Sequence, residues 1–160
     1  MEKGAKLAEL NGFSITGNDQ ISTTGILVDK GSLLSNATNL IVSNFENGIT
    51  ASSNSSILGS NLTSQSNSAA GFNIVLASYL HAENATSSFN KDGFYTFNNS
   101  TILISESTAT NNSRYGIYAG FNSHNAVGNS SASSNGDNYF PNPNVFAPFS
   151  YTHLRAHETV

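Results

Sequence analysis

Three ionisable residues of this chain fall at one position relative to a recurring glycine: Asp92, Arg114 and Asp137 each lie twenty-one residues after Gly71, Gly93 or Gly116. If the copies stack, both carboxylates lie near the guanidinium, as a surface ion-pair set of small energetic value or as part of a ligand site. Glycoside hydrolysis needs two carboxylates that converge across a substrate. Glu83 and Glu106 fall twelve and thirteen residues after their glycines, so adjacent columns aim them apart. His81, His124, His153 and His157 share no column, there is one Met and no Cys, and no metal-ligand spacing is present. No catalytic residue and no metal site is therefore assigned.

Aromatic side chains are the more promising surface feature. Two residues after successive glycines stand Tyr95 and Tyr118, with Tyr115, Phe97 and Phe121 close in sequence. An exposed aromatic patch with polar neighbours suits a sugar ring or a protein partner. Cross-strand pairing that only strengthens a sheet would use the same residues.

The elements that must position these groups come from a repeat. Glycine followed by a large apolar residue recurs at Gly25, Gly48, Gly71, Gly93 and Gly116, spaced by 23, 23, 22 and 23 residues. Seven residues on stands a serine (Ser32, Ser55, Ser78, Ser100, Ser123), and nineteen on an asparagine (Asn44, Asn67, Asn90, Asn112, Asn135). A fixed period of this size marks a solenoid. Within each copy apolar residues alternate in three short runs, the mark of strands with one inward face. Three strands and three corners per copy predict all-β architecture: about five coils of a parallel β-helix over residues 25–138. In that arrangement the asparagines form a ladder of amides at a corner. The glycines supply positive φ or close backbone approach.

Outside the repeat, residues 1–24 read as an N-terminal cap or degenerate coil, with about two helical turns over Lys3–Leu10. Residues 139–160 leave the pattern and hold all three prolines. From Ser150 onward the sequence reads as a non-native, vector-derived tail, which would make the chain a fragment whose neighbouring coils belong to a longer parent.

Composition narrows the partners. Charged residues make up only 10% of the chain, against 62 Asn, Ser and Thr, and the net charge is −4, so no basic stripe exists for nucleic acid. No apolar run is long enough for a membrane span, and Met1–Leu10 lacks the apolar segment of a signal peptide. Eight N-x-S/T sequons are about what chance gives in a chain so rich in these residues.

The Gly-[Ile/Phe]…Ser…[Ile/Leu]…Asn repeat resembles the right-handed parallel β-helix of the pectate-lyase-like superfold. That resemblance implies an extracellular or cell-surface protein and a choice between two roles. One is a scaffold or adhesin binding glycan or protein on a side face. The other is an incomplete carbohydrate-active enzyme, a lyase, hydrolase or epimerase. In the enzymes of the superfold, aspartates bind calcium or act as acid and base. The four Asp here give calcium no cluster, so no cofactor is expected.

Overall fold

The computed structural model describes residues 4–7, 9–18, 23–139 and the backbone of Val145–Phe146. Every regular element among them is a strand, wound into a parallel solenoid of about six turns. The first turn holds Lys6–Leu7 (β1), Leu10–Asn11 (β2) and Ser14–Thr16 (β3); the second holds Thr24–Val28 (β4) and Leu33–Ser43 (β5). Asn47–Ala51 (β6) and Ser56–Gln65 (β7) make the third, and Ala70–Val75 (β8), Tyr79–Glu83 (β9) and Thr86–Ser88 (β10) the fourth. Two further turns follow: Asp92–Phe97 (β11), Thr101–Ser105 (β12) and Thr108–Thr110 (β13), then Tyr115–Ala119 (β14), His124–Gly128 (β15) and Ser131–Ser133 (β16). Asp137–Tyr139 (β17) and Val145–Phe146 (β18) extend the same stack. The adapter-like segment from residue 150 lies outside the described residues.

One six-stranded sheet runs β4-β6-β8-β11-β14-β17, and the remaining twelve strands form a second, bent sheet. All pairing is parallel, and in the six-stranded sheet Ile49, Phe72, Phe94 and Ile117 stand above one another in the interior. The Phe72 and Phe94 rings stack there at 4.7 Å and 11°. Alternation in sequence becomes alternation in burial: Ile102 and Ile104 of β12 are buried, while Thr101, Leu103 and Ser105 face outward. Near one end the core turns polar, with Asn125 in the column of Ile57, Leu80 and Ile102. Thr96 Oγ1 donates to Asn125 Oδ1 at 2.5 Å, and Asn125 Nδ2 donates to the Tyr118 carbonyl at 2.9 Å, so the fully buried amide is satisfied.

Three ladders close the corners. The backbone N–H groups of Ser32, Ser55, Ser78 and Ser100 each donate to the serine Oγ one turn on, at 3.1–3.2 Å. At a second corner Ala85 N–H and Ser107 N–H donate to Ser107 Oγ and Ser130 Oγ. At the third, Asn67, Asn90 and Asn112 each donate both N–H and Nδ2 to the next asparagine's Oδ1, at 2.8–3.1 Å. The recurring glycine beside this ladder is set by crowding. A Cβ on Gly48 would lie 2.9 Å from Asn67 Nδ2 and 2.8 Å from the Gly71 carbonyl, and its φ is not positive.

Three features of the winding differ from the sequence reading. Lys6–Leu7, Leu10–Asn11 and Ser14–Thr16 are strands paired to β5 instead of helical turns, because so short a helix is marginal by itself while β5 offers the segment a parallel ladder. The register of β5 shifts between Leu34 and Ala37, so Ala37, Leu40 and Val42 point inward, and Asn36 and Ile41 are exposed. Asn44 is consequently not a rung of the ladder: Phe45 N–H donates to Asn67 Oδ1 at 3.1 Å, and Phe45 packs against the core.

Candidate functional site

The six-stranded sheet and the residues flanking its strands carry the charged and aromatic side chains singled out in the sequence, in a changed arrangement. Asp92 aligns with Tyr115, and Tyr115 with Asp137, so Arg114 stands one residue ahead of that column. The cause is local: only Lys91 separates Asn90 from Asp92, where two residues separate Asn112 from Tyr115. Asp92 is buried, and Arg114 reaches it from the next turn with a two-pronged grip. Nε donates to Oδ1 at 2.7 Å and Nη2 donates to Oδ2. These bonds raise the Arg114 pKa further above its ordinary value. Asp137 is exposed and belongs to no ion pair among the described residues. The three charged residues are therefore a closed pair plus a neighbour, with the Asp92 carboxylate buried and held on both oxygens by Arg114.

The aromatic side chains form one continuous row on the outer face. The Arg114 guanidinium sits 4.8 Å above the Tyr115 ring, Tyr115 stacks on Tyr118 at 5.0 Å, and Tyr118 on Tyr95 at 4.8 Å and 4°. Tyr95 neighbours Phe97 at 6.2 Å, and Phe97 meets Phe121 at 5.8 Å with a 34° tilt. Two rings lying flat side by side cannot approach to 4.8 Å, so Tyr95 and Tyr118 overlap and cover part of each other's faces. Burial against these neighbours raises the Tyr95 pKa, with the Tyr118 phenol the next contributor. Phe121 is different. It is 64% exposed and stands at the first corner with φ 43°. One turn earlier that position is Asn98, with φ 55°.

Glu83 pairs in register with Ser105, and Glu106 falls in the following column; both are exposed. His81 and His124 align with Leu103 and Thr101, in separate columns. Among the described residues no group of three His, Asp or Glu is placed to hold a metal ion. No described helix is long and apolar enough to cross a membrane.

A solenoid of parallel turns with corner ladders and an aromatic outer face is matched by the family model for the right handed beta helix region, over residues 2–142. The chain belongs to the right-handed β-helix family. None of the curated proteins and none of the solved structures is a significant match to this β-helix.

Sequence columns did not single out Phe89, which the structure leaves 64% exposed at the third corner. Its one signal was in the sequence: eighteen residues after the recurring glycine it is a large apolar residue where the other copies have Ser43, Ser66, Asn111 and Ser134. A second asparagine row was also missed. Asn39 Nδ2 donates to Asn11 Oδ1, Asn61 Nδ2 to Asn39 Oδ1, and Asn84 Nδ2 to Asn61 Oδ1, at 2.7–3.0 Å on the exposed surface.

Proposed function

We propose that this β-helix is an extracellular or cell-surface scaffold that binds glycan on the face carrying β11 and β14. The observation that carries this reading is the aromatic row ending in Phe121. Five rings form a continuous line, and the terminal one is both exposed and held at a positive φ that disfavours a bulky side chain. The fold does not need an aromatic ring there, since Asn98 makes the same corner one turn earlier. A ring kept where it strains the backbone and meets water suits contact with a ligand. Sugars present an apolar ring face, and Phe121 with Phe97 offers them one.

The test is Phe121→Asn on a glycan array, with circular dichroism as the check on folding. Because asparagine is the residue of the equivalent corner, the variant is expected to keep its fold and lose at least tenfold in signal. Undiminished binding would show that Phe121 carries no ligand. Tyr95→Ala with Tyr118→Ala is expected to weaken binding too, through loss of the rings that support Phe97.

A further inference from the structure

The third corner carries a feature that neither the ladders nor the aromatic row explains. At the position just before each ladder residue the backbone is left-handed: Asn44 (φ 61°), Ser66 (56°), Phe89 (56°), Asn111 (55°) and Ser134 (55°). Four of the five are small polar residues that tolerate or cap such a turn. Phe89 is the exception, and its ring is 64% exposed. It adjoins an open groove of about 450 Å³ shared with Asn44, Phe45, Ser66, Asn67 and Ser68.

The polar groups of that groove divide into two kinds. Asn67 is fully engaged, its Nδ2 donating to Ser64 Oγ and Asn90 Oδ1 and its Oδ1 accepting from Phe45 N–H. Ser66 and Ser68 use their backbone N–H groups on the Ser88 and Phe45 carbonyls. The side chains of Asn44, Ser66 and Ser68 make no hydrogen bond among the described residues. The bulge in β5 is what releases Asn44: it moves Phe45 into the ladder and leaves the Asn44 amide at the groove.

We infer that this groove is a second saccharide-binding site, separate from the aromatic row, for the ring of an uncharged sugar. One exposed aromatic ring supplies a surface for the apolar face of a pyranose. The Asn44 amide and the Ser66 and Ser68 hydroxyls, unpaired among the described residues, line the same groove and offer donors and acceptors for sugar hydroxyls. Nothing in the lining is charged, so a uronate or sulfated ring would lose hydration without gaining an ion pair.

The experiment is saturation-transfer NMR and calorimetry with neutral hexasaccharides of glucose, xylose and mannose. Four proteins are compared: the chain itself, Phe121→Asn, Phe89→Asn, and the double variant. Asparagine at 89 copies Asn111, so the turn is retained. Phe121→Asn is expected to keep residual binding to at least one neutral hexasaccharide, and the double variant to lose it by tenfold or more. Phe89→Asn is also expected to raise Tm by about 2–4 °C, as relief of a strained corner should. Ser66→Ala with Ser68→Ala should weaken the same residual binding without moving Tm. The site is overturned if the double variant binds as well as Phe121→Asn, or if Phe121→Asn binds no neutral hexasaccharide at millimolar concentration. Failure of the aromatic-row reading looks different: Phe121→Asn then binds as well as the unaltered chain, and only Phe89→Asn loses signal.

Discussion

Two rows of asparagine run along this solenoid, made of the same amide and closed at nearly the same distances, and they differ in worth because only one is dry. The interior row of Asn67, Asn90, Asn112 and Asn135 satisfies backbone N–H groups that water cannot reach. The outer row of Asn11, Asn39, Asn61 and Asn84 joins side chains that water would solvate equally well. A hydrogen bond is worth most where its absence leaves a buried group without a partner, and little where water replaces it.

That contrast predicts a graded series. Asn90→Ala should be the most damaging change, stranding the N–H and Nδ2 of Asn67 and opening a small cavity. A loss of about 2–4 kcal/mol is expected, read as a fall in the denaturant midpoint. Asn135→Ala acts on a half-exposed rung and should cost about 1–2 kcal/mol in the same titration. Equal costs at 90 and 135 would mean that burial does not set the value of a rung. Glu106→Asn works in the opposite direction on the outer row. Glu106 has φ 51° in the column of Asn84, so asparagine should gain about 0.5–1 kcal/mol by suiting the turn and continuing the row. The smallest effect is expected from Asn61→Gly, which keeps the left-handed backbone and removes two exposed side-chain hydrogen bonds. Its stability should stay within about 0.5 kcal/mol of the parent, and a loss near that of Asn90→Ala would break the comparison.

The Asp92–Arg114 pair lies between these extremes, one partner buried and the other 44% exposed. Arg114→Met should cost about 1–3 kcal/mol by leaving Asp92 buried alone. The double change with Asp92→Asn should recover part of that loss in a thermal melt.

The repeat made the winding legible and concealed its local slips. Spacing placed Ser55, Ser78, Ser100 and Ser123 and four of five asparagine rungs correctly, because each column answers to a corner that recurs in every turn. Asn44 was misplaced because two irregularities cancel. An extra residue enters β5 after Leu34, and one fewer lies between Phe45 and Gly48 than between Asn67 and Gly71. The glycine spacing stays at 23, and the shift inside it leaves no trace. Asp92 slipped by one for a related reason, the short turn at Lys91. The aromatic residues were visible as types, while their overlap was not. Whether Tyr95 and Tyr118 lie flat or lean on one another depends on side-chain torsions that no spacing encodes. Phe121 was singled out as an aromatic neighbour but not as a corner residue, and Phe89 escaped notice altogether, because left-handed corners are ordinarily read from Gly and Asn.

The ladders also give the solenoid a direction. In the serine and asparagine ladders the backbone N–H of one turn always donates to a side-chain oxygen of the turn that follows it in sequence. An ascending end therefore offers donors and needs a surface of acceptors, and a descending end offers the reverse. The ladder groups of two such ends complement one another only head to tail. An axial association that continued the ladders would therefore be a heterologous, open-ended contact and not a two-fold dimer.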